Sequence, residues 1–191
     1  MGFSQTLDTS RETSVLQSFT DTAAGRSLQL FYGTGVTDSG GTTYVLSRDA
    51  GFSRPISYTA STSGVALNFN ITNNKMTIIA GIVQADVRIT AQDMMGAGGN
   101  VTVTAALYHY DGSTETLLGS ATTDNLKSTT ITQKFSFTAT RKSFGVGSTL
   151  RLKMTLNGYS SGPDREDVTI YFDPLTAGNE LKLWVPVVVL D

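Results

Sequence analysis

Residues 101–119, VTVTAALYHYDGSTETLLG, alternate apolar and polar side chains with a period of two. Val101, Val103, Ala105 and Leu107 share one face, and Thr102, Thr104 and Tyr108 share the other, as in a half-buried strand. Asp111-Gly112 supplies a turn that tolerates positive φ, and Leu117-Leu118 resumes the apolar run, so this stretch predicts a β-hairpin. The same pattern recurs at 130–140 (TITQKFSFTAT), 149–157 (TLRLKMTLN), 167–173 (DVTIYFD) and 181–190 (LKLWVPVVVL). In 149–157 Leu150, Leu152, Met154 and Leu156 point inward while Arg151, Lys153 and Thr155 point outward. Alternation of this kind gives each strand one solvated face, which predicts antiparallel sheets.

Upstream, 66–71 (ALNFNI) places Leu67, Phe69 and Ile71 inward, and Asn73-Asn74-Lys75 reads as a turn. Residues 76–89 (MTIIAGIVQADVRI) are apolar at both parities in their first half, which predicts a central strand covered on both sides. A helix is the competing reading, but the Ile, Val and Thr content and Gly81 within the run favour a strand with a bulge or corner at that glycine. Eight or so strands without intervening helical periods predict an all-β, antiparallel β-sandwich, with a jelly roll as the favoured arrangement.

The pattern divides the chain into an N-terminal arm, 1–27, and a sandwich domain, 28–191. Within the domain, 28–64 holds strand signals at 27–32 and 44–46 and reads either as a hairpin of its own or as an excursion from the sandwich. The arm reads either as a flexible terminus or as a segment that orders against a partner, with Phe3, Leu7, Leu16 and Phe19 as anchors. At the other end, 181–190 is apolar at both parities. One face fills the sandwich, and the other, carrying Trp184 and Val188, leaves an apolar patch unless another chain or the arm covers it. A homo-oligomer is therefore expected, with a trimer favoured.

Composition sharpens this picture in three places. The charged fraction is 16%, below the roughly 25% of ordinary globular domains, and Ser and Thr fill the outward strand positions instead. Net charge is −2 without a basic run, which argues against a nucleic-acid partner. No stretch is apolar for 18 residues, so no membrane-spanning helix and no membrane partner are expected. Cysteine is absent, which excludes a disulfide framework.

Candidate chemistry is sparse. His109 is the sole histidine, and no GxSxG elbow accompanies it, so it reads as a structural strand-end residue. The acids Asp164, Glu166, Asp167 and Asp173, and the pair Asp111 and Glu115, lack the spacing of a calcium loop and read as solvated turns. No catalytic residue, metal ligand or cofactor is assigned, and a protein without enzymatic activity is expected. Tyr108 and Tyr110, outward on one strand, with Tyr171 outward on another, are the candidate ligand platform, of a kind suited to stacking on sugars.

The segments VTVTAALYHYDGSTETLLGSATT, TITQKFSFTATRKSFGVGSTLRLKMTLNG, DVTIYFDP and LKLWVPVVV together resemble the jelly-roll structural proteins of tailed bacteriophages, including capsid decoration and head-fibre-like proteins. At the same coarse level they resemble jelly-roll carbohydrate-binding modules. The first resemblance implies a subunit that decorates or stabilises a capsid or other virion surface, located in the virion. The second implies a carbohydrate-binding module or adhesin domain as the alternative.

Overall fold

The computed structural model describes residues 27–38, 41–48, 56–60, 63–93, 101–127, 129–157, 160–161 and 164–189. The anchors Phe3, Leu7, Leu16 and Phe19 lie outside the described residues. Every regular element among those described is a strand: β1 Ser27–Asp38, β2 Gly41–Ser47, β3 Ser57–Ala60, β4 Val65–Thr72, β5 Thr77–Asp93, β6 Thr102–Tyr110, β7 Glu115–Thr122, β8 Thr129–Phe144, β9 Thr149–Asn157, β10 Ser160–Ser161, β11 Asp164–Tyr171 and β12 Leu181–Val189. They pair in the order β10-β11-β5-β12-β1-β2-β4-β9-β6-β7, with β8 on β5 and β3 on β11. β1 and β2 form a hairpin whose register runs from Tyr32 opposite Ser47 to Asp38 opposite Gly41. β1 then pairs with β12 on its other side, which sets the hairpin in the middle of the sheet order.

The sheet folds back on itself around one core. Phe69 of β4 meets Phe172, just after β11, at 5.5 Å between ring centroids. His109 of β6 meets Phe144 of β8 at 4.7 Å. In β9 the inward set Leu150, Leu152, Met154 and Leu156 is buried, as are Val103, Ala105 and Leu107 in β6 and Val83, Ala85, Val87 and Ile89 in β5. Burying side chains of the Leu or Ile class contributes roughly 1.5–3 kcal/mol each, so these period-two faces supply the main stabilisation. The chain is an all-β sandwich.

Two expectations about the sheet are corrected. The pairing is not uniformly antiparallel, because β2 and β4 run parallel through one residue pair, Val45 and Asn70. That contact joins strands whose other neighbours are antiparallel, so no alternation along either strand encodes it. The outward parity of β5 is also not covered on both sides. Ile78 is half-buried and Ile82 is 42% exposed.

Gly81 does mark a bulge, with a φ of 124°. The register of β5 against β8 slips between Ile79 and Gly81. The register of β12 against β5 slips between Trp184 and Val187. Pro186 sits inside that second slip, while on the β1 side it stays opposite Leu28 in an unbroken register. A Cβ on Gly81 would lie 3.2 Å from Pro186 Cγ, so the bare glycine makes room for the proline ring.

Candidate functional site

Two outer faces of the sandwich carry side chains that packing alone does not explain. The first spans β4, β9, β6 and β7. Register places Asn70, Arg151 and Tyr108 side by side on three adjacent strands, and Asn68, Lys153 and Ala106 on the next rung. Tyr110 lies opposite Glu115 across the β6–β7 hairpin. The long cations of β9 then cross β6. Lys153 Nζ stands 4.6 Å from the Tyr108 ring centroid, and the Arg151 guanidinium carbon stands 4.3 Å from that of Tyr110. Both cations end on one carboxylate. Lys153 Nζ donates to Glu115 Oε2 at 2.6 Å, and Arg151 Nη1 donates to Glu115 Oε1. Arg151 Nε donates to Asn70 Oδ1 at 2.7 Å.

The result is a ladder of cation, ring, cation and ring held by a single acid. The hydrogen bond from Lys153, followed by that from Arg151, holds the Glu115 carboxyl below its ordinary range against the opposing effect of burial. Beside the ladder the Asn68 side-chain oxygen is buried without a hydrogen-bond partner, alone in this among the described residues. Tyr108 and Tyr110 thus come together as the sequence pattern suggests, but each turns a ring face to a cation, and a stacked sugar needs such faces bare. Tyr171 belongs elsewhere, with Arg88 5.5 Å from its ring centroid.

The second face is apolar. Leu30 of β1 lies opposite Trp184 of β12, and Leu28 lies opposite Pro186. Val188 lies opposite Ile78 of β5. Their chain neighbours Phe31, Leu183, Val185 and Val187 fill the core, so Leu28, Leu30, Ile78, Trp184 and Val188 look outward and are half-buried. Ile82 continues the patch on β5, and Met76, just before that strand, is 52% exposed. A polar row borders it, where Asp86 lies between Lys134 of β8 and Lys182 of β12. Burial raises the Asp86 pKa despite these two lysines. Trp184 and Val188, expected as partner contacts, therefore share one surface with residues of two other strands. Sequence reading missed Leu28, Leu30, Ile78 and Ile82 as members, because their contribution depends on which strands become neighbours.

The remaining candidates have structural surroundings. His109 is buried against Phe144, and burial, then Lys142, lowers its pKa. Asp111 accepts from the Thr114 and Ser113 backbone N–H groups at 2.8 and 3.0 Å. Those bonds, with the Ser113 hydroxyl, bring its pKa down to about 2. Asp173 is buried and accepts from the Leu175 N–H and the Thr176 hydroxyl, which closes the turn before β12. The Asp164 and Glu166 side chains lie outside the described residues. Among the described residues no three His, Asp or Glu side chains converge as a metal site would require.

No protein-family model matches the sequence, and neither does any curated protein. Solved structures do share the fold. An α-amino acid ester hydrolase superposes with a TM-score of 0.60 at 11% identity, over 84% of this chain and 36% of that one. A CocE/NonD family hydrolase from Staphylococcus aureus gives 0.57 at 9%, over 85% of this chain and 37% of that one. An aminopeptidase from a marine sediment Thaumarchaeota archaeon gives 0.54 at 8%, over 84% and 37%. The chain thus spans little more than a third of the length of these structures, and the likeness is one of fold.

The expectation of a protein without enzymatic activity is corrected by this finding. It rested on missing motifs in the sequence, whereas the three solved structures described above, which share this fold, are hydrolases. A fold hosts many chemistries, so the absence of a known motif does not by itself exclude catalysis.

Proposed function

We propose that this chain is a jelly-roll subunit of a virion surface, which docks on a capsid or other virion protein and assembles with copies of itself, a trimer being the favoured form. The observation that carries the reading is the apolar outer face of β1, β12 and β5, where Leu30 and Trp184, and Val188 and Ile78, stand in register beside exposed Ile82. A contiguous apolar patch with a polar border is the surface a subunit interface uses. The likeness of 101–123, 130–158, 167–174 and 181–189 to structural proteins of tailed bacteriophages supports the virion setting. The test is the native mass of the purified chain beside that of Ile82→Asp. Ile82 is exposed enough for the charge to leave the fold intact. An oligomer that Ile82→Asp dissociates agrees with the proposal, and a monomer at micromolar concentration contradicts it.

The fold shared with hydrolases favours a second reading, in which the chain is the β module of a hydrolytic protein. Turnover of p-nitrophenyl acetate or an aminoacyl p-nitroanilide by the purified chain, above the buffer rate, would favour this reading over the first.

A further inference from the structure

At one end of the sandwich the inward parity of three strands turns from apolar to polar. In β1 it passes from buried Phe31 to Gln29, and in β2 from buried Leu46 to Arg48, just past the strand. In β4 it passes from Ile71 to Asn73, in the turn that follows. A cavity of about 320 Å³ opens there, with Phe31, Leu46 and Ile71 at its floor and Arg48, Asn73 and Asn74 at its rim. This is the lower end of the roughly 300–1,000 Å³ of small-molecule sites, room for one small ligand.

Arg48 is held in place before any ligand arrives. Its Nη2 donates to Gln29 Oε1 at 2.8 Å, and its guanidinium carbon lies 5.7 Å from the Phe31 ring centroid. Neither partner is an acid, and no acid is among the described residues that line the cavity. The remaining donors of the guanidinium fork therefore suit a carboxylate. Asn73 is fixed as well. Its Nδ2 and its backbone N–H both donate to the Ser148 carbonyl, at 3.3 and 2.9 Å, and its own carbonyl accepts from the Gly147 N–H at 2.9 Å. Its side-chain oxygen is then left to accept from a hydroxyl. The floor decides the rest of the ligand. Phe31 and Leu46 are each only 3% exposed, so an apolar body gains little area there, and the rim amides favour a hydroxylated one.

We infer that this cavity binds a small hydroxylated carboxylate of the sugar-acid class, with Arg48 on the carboxylate and Asn73 and Asn74 on the hydroxyls. The inference is independent of the assembly reading, because Gln29 and Phe31 alternate with Leu28 and Leu30 of the apolar outer face.

The test titrates the purified full chain with D-glucuronate and follows its backbone and side-chain amides by NMR. D-Glucose, which lacks the carboxylate, and cyclohexanecarboxylate, which lacks the hydroxyls, are the matched controls. Saturable one-to-one binding of glucuronate is expected, shifting the Asn73 and Asn74 side-chain amides. Each control should bind about tenfold more weakly or worse, and so should glucuronate to Arg48→Gln, as loss of a charge-assisted contact implies. Arg48 is exposed, so the variant should keep the wild-type melt. If it does not, the amide shifts of the unaltered chain still locate the site. No saturation by about 50 mM glucuronate, shifts confined to other parts of the chain, or undiminished affinity in folded Arg48→Gln each overturn the inference. Glucose binding as tightly as glucuronate overturns it by removing the carboxylate from recognition, and cyclohexanecarboxylate doing so overturns it by removing the hydroxyls.

Discussion

Arg151 crosses from β9 over the ring of Tyr110, and its Nη1 ends on the Glu115 carboxylate at the start of β7. The same carboxylate takes Lys153, so one acid anchors two cations that would otherwise repel each other. Glu115→Gln should lower stability by about 1 kcal/mol, the scale of a partly exposed ion pair. Replacing Arg151 as well should cost less than the sum of the two single changes. Urea unfolding of the single and double variants measures this coupling.

The Glu115 carboxyl lies below its ordinary range in the folded protein, chiefly through Lys153. A depressed acid contributes stability that is present above its unfolded pKa and lost as pH falls through the folded one. The wild type should therefore lose stability below about pH 4.5 more steeply than Glu115→Gln does. Thermal melts between pH 3 and 6 would show the two curves converging in acid.

His109 depends on pH in the same direction, but through its neutral form. Its folded pKa is lowered, first by burial, so the native state holds the neutral ring and the unfolded chain takes the proton more readily. The stability this gives is complete above the ordinary pKa of 6.5 and declines as pH falls below it. His109→Gln should flatten the melting temperature between pH 7.5 and 5.5, after an initial loss from weaker packing on Phe144. A wild-type melting temperature unchanged over that range would contradict this reading.

Gly119 of β7 lies against β8, where an added Cβ would sit 2.7 Å from the Thr138 carbonyl oxygen. The obstacle is backbone, so Gly119→Ala must push the two strands apart. A loss of about 1–3 kcal/mol is expected, read from the urea midpoint. Gly145→Ala, whose Cβ meets nothing within 4 Å, should be close to neutral in the same assay.

Asn68 provides a test with the other sign. Its buried side-chain oxygen has no hydrogen-bond partner, and such a group forfeits about 1–3 kcal/mol of hydration. Asn68→Leu should leave stability unchanged or raised, and a loss above about 1 kcal/mol would show that the oxygen is satisfied.

The strands were legible wherever one face meets the core and the other meets water. β9 alternates without exception from Leu150 to Leu156, and its bounds match those drawn from the pattern. The bulge at Gly81 was legible because a glycine within an Ile and Val run has few other reasons to be there. What escaped was everything set by which strands become neighbours. Asn70, Arg151 and Tyr108 are far apart in sequence and adjacent only through the β4–β9–β6 register. Their side chains read as separate outward residues. The second parity of β12 is apolar in the sequence itself, but Leu28 and Ile78 join it only because β12 inserts between β1 and β5.

That insertion has a consequence for how the chain reaches its native state. β1 begins at Ser27 and takes as partner a strand that starts at Leu181, so two long edges wait for a segment made more than a hundred residues later. During synthesis, β1 and β5 stay unpaired along this seam until residues beyond Leu181 leave the ribosome. Closure is then a late event with high contact order, in the slow, millisecond-to-second class of β topologies. A ribosome that stops before Leu181 releases a product with two open strand edges beside an apolar surface, the kind of species that aggregates rather than folds.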